Sequence, residues 1–256
     1  KDVFDMMRDH YEGTVMDMTT DIGAGGSKCP YRWRPMGFEV DGVEYVNERA
    51  IATQQTGFWF VAQARQNLPD PVGGVIWFGT DDAATSPLTP IYCGTTEVPW
   101  CFSEENGSML EYSDESAFWL VNRVANFAYM RYNRMAADIR KVIDEWENAR
   151  IAELAKIDAK AKAKYERNPK TAVKYVTAYS TRTAEELFER WQDMDEYLLV
   201  KYVDGNIKAE TAKGFKDNGH DPRIPGDIIF EGYGEAWKRA VAESDKNGIL
   251  RVTEMK

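Results

Sequence analysis

The chain has 256 residues, enough to bury a sizeable core as one large domain or two small ones. A net charge of −10 argues against nucleic acid as a partner, since phosphate binding needs clustered cations and the counterion release they drive. With 43% hydrophobic residues and eight tryptophans the composition is globular, and no apolar run approaches the ~20 residues that cross a bilayer, so no membrane span is expected.

Residues 1–112 read as mixed and mostly β. Within residues 44–65, EYVNERAIATQQTGFWFVAQAR, the residues Ile51, Thr53, Gln55 and Gly57 alternate with Ala52, Gln54 and Thr56. This period of two predicts a strand with two chemically different faces. GGVIWFGT, from Gly73, predicts a short buried strand. DDAATSP reads as a turn, and LTPIYCGTTEV as the return strand of an antiparallel hairpin. Pro90 places that return strand at an edge or a bulge.

Residues 113–203 read as helical. Phe118, Val121, Ala125, Ala128, Tyr132, Met135, Ile139, Val142 and Trp146 lay one apolar seam along a single long helix, which Pro169 ends. The basic run Lys156–Lys164 alternates with alanine between acids, as on a solvated helix face. Thr183-Ala-Glu-Glu has the capping-box pattern and predicts the start of a second helix carrying Leu187, Trp191, Met194 and Leu198. Two helices packed as a hairpin on a sheet explain this pattern better than an intermolecular coiled coil. Residues 204–256 read as an irregular tail with one short helix from Gly234 to Glu243.

The chemistry legible from spacing is thin. The opening stretch MMRDHYEGT packs Asp9, His10 and Glu12 into four positions, too close for ligands on one helical face. Asp9 and Glu12 are spaced for a pair but have no marked third ligand, and Asp81-Asp82 read as ordinary turn residues, so no metal is expected. His10 and His220 are the only histidines, and no serine sits in a G-x-S-x-G elbow. Gly23-Ala24-Gly25-Gly26 lacks the lysine of a phosphate-binding loop. The cysteines Cys29, Cys93 and Cys101 have no metal-ligand spacing, and an odd number closes no disulfide framework, which leaves a Cys93–Cys101 bridge as the one pairing considered. Cys29 is the best thiol candidate, with Arg32 and Arg34 near enough in sequence to lower its pKa, but it has no evident base. Gln54 and Gln55 sit between Ile51 and Phe58. Two readings stand level: a polar face lining a substrate cleft, or one amide in solvent and the other capping a backbone group. By spacing alone the chain contains no complete catalytic apparatus.

The phrases RDHYEGT, GSKCPYRWRP, VNERAIATQQTGFWFVAQAR, GGVIWFGTDDAATSPLTPIYCGTTEVP and SAFWLVNRVANFAYMRY, in that order, resemble the C69 family of bacterial dipeptidases, and VDGNIKAETAKGF resembles that family's C-terminus. The resemblance implies an α+β fold, as part of the αββα sandwich of the N-terminal nucleophile hydrolases. It also implies a cysteine nucleophile freed at the mature N-terminus, whose own α-amine is the base; such an amine titrates near ~8, close enough to neutrality to take a thiol proton. No histidine and no cofactor are then required.

Residue 1 here is Lys1, and none of the three cysteines is terminal. The implied reading is a C-terminal portion of a longer dipeptidase, inactive alone, with the N-terminal half of the same protein and a dipeptide as its partners. Arg49, Gln54, Gln55 and Arg65 are the substrate-pocket candidates, through carboxylate recognition or oxyanion support. His10 is expected to be structural, with Arg8 and Asp9 ordering a loop near the cleft. Two alternatives are a non-catalytic oligomerisation or binding module built on the Phe118–Trp146 seam, and a thiol hydrolase built on Cys29. Compartment is left open between secreted or periplasmic and cytoplasmic.

Overall fold

A computed structural model describes residues 1–252. A short first helix, α1 (Asp2–Met6), buries Phe4 against the Trp77 ring, with centroids 5.2 Å apart. After a long irregular segment come β1 (Gly37–Val40) and β2 (Val43–Val46), an antiparallel hairpin in register Phe38 to Tyr45. Its turn is Asp41-Gly42, both at positive φ (53° and 78°), the backbone that a two-residue hairpin turn demands.

Next follow β3 (Phe58–Ala64), the single turn α2 (Asp70–Gly73), β4 (Gly74–Thr80) and β5 (Thr89–Tyr92). These strands form one antiparallel sheet in the order β3-β4-β5. The hairpin expected around GGVIWFGT and its return strand is present, and Pro90 lies on the edge strand β5 opposite Trp77. Residues 51–57 do not form the expected strand. Their polar groups are taken up by turns and by other segments: Thr53 donates to the Gln54 side chain, the Thr56 amide bonds the Thr53 carbonyl, and the Ala52 amide bonds the Asp9 carbonyl. A polar alternation satisfied by turns and by loop partners has no call on a ladder partner.

Two registers decide the faces of the sheet. Trp59, Val61, Val75, Trp77 and Tyr92 point to the inner face, where Trp59, Val75, Trp77 and Tyr92 join Phe4, Leu88, Leu154, Val176 and Tyr179 in one apolar core. Phe58 and Phe60 lie on the other face and are 62% and 52% exposed.

The helical region departs from expectation in both its joints. The apolar seam is split into α3 (Ala117–Met130) and α4 (Tyr132–Arg167) at Arg131, which has φ −151° and ψ 58°. The cause is an inserted loop: Ser27 accepts from the Asn133 amide at 2.8 Å through its carbonyl and donates its hydroxyl to the Met130 carbonyl at 3.1 Å. Backbone groups freed by the break are thereby satisfied. The next helix, α5 (Pro169–Tyr202), starts fourteen residues before Thr183. Asn168 caps it by accepting from the Lys170 amide at 3.0 Å, with Pro169 at the first helical position. Thr183 lies inside the helix and returns its hydroxyl to the Tyr179 carbonyl at 2.7 Å. Seam residues Val121, Ala125, Ala128, Met135 and Ile139 are buried within the chain.

Residues 1–198 form one unit and residues 199–256 a second. The second contains a minimal ribbon of β6 (Glu210–Thr211) and β7 (Gly214–Phe215), a bridge between Ile207 and Ile229, and α6 (Glu235–Ser244), which matches the short helix expected there. All three cysteines are free, so the Cys93–Cys101 pairing is not made; Cys93 is exposed and Cys101 buried. Among the described residues no helix is long and apolar enough to cross a membrane. The architecture is α+β: small antiparallel sheets and long helices.

Candidate functional site

The loop from Asp81 to Leu88 joins β4 to β5 and is buried along almost its whole length, despite reading as a turn. Its backbone polar groups therefore need partners inside the protein. Arg8 supplies several: Nε donates to the Ala83 carbonyl at 2.8 Å and Nη2 to the Ser86 carbonyl at 3.0 Å. The same guanidinium closes on Glu147 of α4 with bonds of 3.0 and 2.6 Å, and lies 4.8 Å from the Trp59 ring centre. Glu147 also accepts from the Leu88 amide at 3.0 Å and from Lys1 at 2.7 Å. Trp59 fixes the loop from the sheet by donating to the Ser86 hydroxyl at 2.6 Å. Of the two residues expected to order a loop near the cleft, Arg8 holds this loop, whereas the Asp9 side chain accepts from the Tyr11 amide at 2.7 Å.

The other end of the loop carries two neighbouring carboxyls. Asp82, fully buried, accepts from the Tyr31 hydroxyl, from Thr85 at 3.0 Å and from the Ala84 amide at 3.4 Å. Asp81 stands at φ 67°, accepts from Asn122 at 3.2 Å through Oδ1, and has an Oδ2 with no partner. Burial, with the Asp82 charge beside it, pushes the Asp81 carboxyl up to about 7. Burial raises Asp82 as well, against the pull of Tyr31, His10 and Thr85. A carboxyl poised near neutrality is the kind of group that functional sites assemble.

Aromatic rings surround this pair. Tyr31 packs edge-on to His10, Tyr129 and Tyr132, with centroids 5.2, 4.6 and 5.8 Å away. His10 is fully buried; Nδ1 lies 3.2 Å from Glu12, whose carboxyl burial pushes up but the His10 hydrogen bonds pull further down, to about 2. Burial raises Tyr129 and Tyr132 far above the ordinary phenol range, with the Asp82 charge adding to it. Beside the cluster opens a cleft of about 400 Å³ lined by the Gly23–Ser27 loop, Cys29, Tyr31, Arg32, Trp33, Asn47 and Tyr129. Its Arg32 is held by Asp21 and by the Cys29, Tyr31 and Met18 carbonyls. Cys29 is not activated as its arginine neighbours suggest: burial raises its thiol pKa and outweighs the opposing charge of Arg32. Cys101 is pushed up by burial to about 12. Among the described residues no group of three histidine, cysteine or acidic side chains is placed to hold a metal ion.

The four residues singled out from the sequence are distributed over two places. Gln54 donates to the Arg32 carbonyl at 2.5 Å, beside the cleft, and Gln55 accepts from Arg34 at 3.4 Å. Arg49 is exposed, and its carbonyl accepts from Tyr11 at 3.2 Å. Arg65 follows the far end of β3, where it binds Asp158 at 3.0 Å and the Val72 carbonyl at 2.5 Å and lies 5.5 Å from the Tyr92 ring centre. It lines a separate cleft of about 470 Å³ with Lys1, Phe4, Gln63, Trp77 and Asp158. Seven residues of strand, at roughly 3.3 Å each, separate Gln54–Gln55 from Arg65. In the sequence Asp81 and Asp82 read only as turn residues, and Tyr31, Tyr129 and Glu147 do not stand out. The one signal available for them was a polar DDAATS run between two apolar strands.

The profile of the family described as "Peptidase family C69" matches residues 1–145, a span that holds the sheet, the buried loop, α1 and α3. A protein of Latilactobacillus sakei described as "Probable dipeptidase" is 26% identical over 156 residues, 60% of this chain and 31% of that protein. The chain thus spans under a third of the length of that relative. With more than half of its residues matched by the family profile, the chain belongs to peptidase family C69.

Proposed function

We propose that this chain is part of a cysteine-type dipeptidase whose nucleophile lies on polypeptide outside this sequence, and that it braces and lines the substrate cleft. The observation that carries the reading is that the span matched by the family contains the buried Asp81–Asp82 loop and the aromatic cleft beside it. Burial raises both Cys29 and Cys101, and no imidazole is bonded to any of the three cysteines in the described contacts. A thiolate is the attacking form, so a raised pKa works against either as nucleophile. The exposed Phe58 and Phe60 face of the β3-β4-β5 sheet agrees with a second layer packing there, as in a two-sheet sandwich.

In this reading the Arg8–Glu147 brace fixes the loop, and Gln54 fixes the Arg32 segment that forms one wall of the cleft. Arg49 and Gln55, on the surface near that wall, are proposed to meet the dipeptide's carboxylate. The test compares hydrolysis of dipeptides by the 256-residue chain with hydrolysis by the longer protein. The expected result is turnover by the longer protein only. Robust turnover by this chain alone would place the nucleophile within it and overturn the reading.

A further inference from the structure

Two carboxyls, Asp81 and Asp82, are at most 1% exposed, and no cation bonds either of them in the described contacts. Their partners are neutral: a phenol, a hydroxyl, an amide N–H and the Asn122 amide. The nearby guanidinium groups are committed elsewhere, Arg8 to Glu147 and Arg32 to Asp21, and the His10 imidazole, whose charge acts on Asp82, makes its bond to Glu12. Asp81 Oδ2 has no partner at all, and neither has the buried hydroxyl of Tyr129. Burying acceptors of this kind unpaired is costly, so their retention calls for an occupant. Tyr31 connects the acids to the cleft: its side chain lines the cleft and its hydroxyl ends on Asp82. Tyr129 lines the same cleft, packed edge-on against Trp33 at 5.6 Å and against Tyr31 at 4.6 Å.

We infer that this cleft is a binding site for a primary organic ammonium group, seated against Tyr129, Tyr31 and Trp33 above the Asp81–Asp82 pair. Aromatic faces attract such a cation, the Tyr129 oxygen accepts one of its three N–H donors, and the buried acids supply the countercharge. A bare metal ion fits less well, because no third carboxylate, imidazole or thiolate joins the pair among the described residues. The inference rests on the proposed dipeptidase reading for its biological meaning: the ammonium would be the α-amino group of a peptide substrate, which is then anchored by its N-terminus.

The test uses n-propylammonium, which cannot be hydrolysed, so binding is read separately from peptidase activity. Titrated into the 256-residue chain at pH 7.5 and followed through the Trp33 indole NMR signal, it should give a saturable shift; the neutral isostere n-propanol should not. Tyr129→Phe removes only a hydroxyl that has no internal partner, so the variant should fold with an unchanged melting temperature and bind about tenfold more weakly. Asp82→Asn, checked for folding in the same way, should weaken binding further. No saturable shift, equal binding of the alcohol, or unchanged affinity in Tyr129→Phe would each overturn the site. Failure here with intact dipeptide turnover by the longer protein would remove the ammonium site and leave the dipeptidase reading in place; a saturable shift without turnover would do the reverse.

Discussion

Arg8 and Glu147, 139 residues apart in the chain, close a two-pronged ion pair in which neither side chain is more than 2% exposed. The guanidinium also donates to the Ala83 and Ser86 carbonyls, and the carboxylate also accepts from the Leu88 amide. The pair therefore joins the N-terminal segment, the buried loop and α4 through a single contact point.

Breaking such a pair leaves a fully buried carboxylate with only Lys1 and the Leu88 amide as partners, which costs about 3 kcal/mol, the lower end for a broken buried pair. Arg8→Met is expected to lower the thermal midpoint by roughly 10 °C, at about 2–4 °C per kcal/mol for a unit of this size. Adding Glu147→Leu to Arg8→Met should recover part of the loss, because the buried carboxylate deprived of its guanidinium is then gone. A thermal-denaturation double-mutant cycle measures this; strict additivity of the two single changes would show that the ion pair is not the link.

Asp81 gives a prediction in pH. An unfolded chain gives up this proton near 3.8, while the folded chain keeps it to about 7. Between those values the folded state binds more protons, so stability should fall as pH rises from about 4 to about 7 and level off above. The effect is on the order of a few kcal/mol at ~1.4 kcal/mol per unit. Asp81→Asn copies the neutral acid and keeps an oxygen for Asn122, so it should be close to neutral at pH 4.5 and stabilising at pH 8. Chemical denaturation at the two pH values checks this. An equal effect at both would mean that Asp81 titrates normally.

Part of the fold was legible because it rests on local rules: the β4–β5 hairpin with Pro90 on its edge, and the short α6. Errors arose where a distant segment decided. The α3–α4 seam is continuous by spacing, and only Ser27, over a hundred residues upstream, reveals the break at Arg131. Thr183 has the letters of a cap, yet Asn168 and Pro169 begin the helix earlier, because a threonine hydroxyl can also be satisfied by the carbonyl four residues back. The site was the least legible part. Asp-Asp before Ala-Ala-Thr-Ser-Pro is ordinary turn chemistry until Arg8, Tyr31 and Glu147 arrive from elsewhere to bury it. Burial of a polar loop is a tertiary fact, and no periodicity encodes it.

Gly79 sits where the sheet meets that loop. A Cβ placed there would lie 2.8 Å from the Pro87 carbonyl and 2.9 Å from Trp59 Nε1, the atom that holds Ser86. Neither neighbour is the free end of a flexible chain. Gly79→Ala should therefore cost about 1–3 kcal/mol through overpacking. Loss of the Trp59–Ser86 bond should also appear as a change in tryptophan near-UV circular dichroism. A variant with wild-type stability and spectrum would show that the loop moves freely over the sheet.

Arg65 separates a bracing role from a substrate-binding role. It holds Asp158 at 3.0 Å, and Asp158 in turn accepts from Tyr92 at 2.6 Å, so the three residues tie β3, β5 and α4 together where the strands end. Its other donors meet the Val72 and Gly73 carbonyls of the α2 turn. With its guanidinium engaged in this way, little of its hydrogen-bonding capacity is left for a substrate carboxylate. Arg65→Ala should lower stability by about 1–3 kcal/mol, less than for a fully buried pair because both side chains keep some exposure. In the longer protein, assayed well below the new midpoint, the KM for dipeptides should stay unchanged. A rise in KM at unchanged stability is the opposite pattern; it would move Arg65 from the scaffold to the substrate and make the 470 Å³ cleft it lines the place where peptides bind.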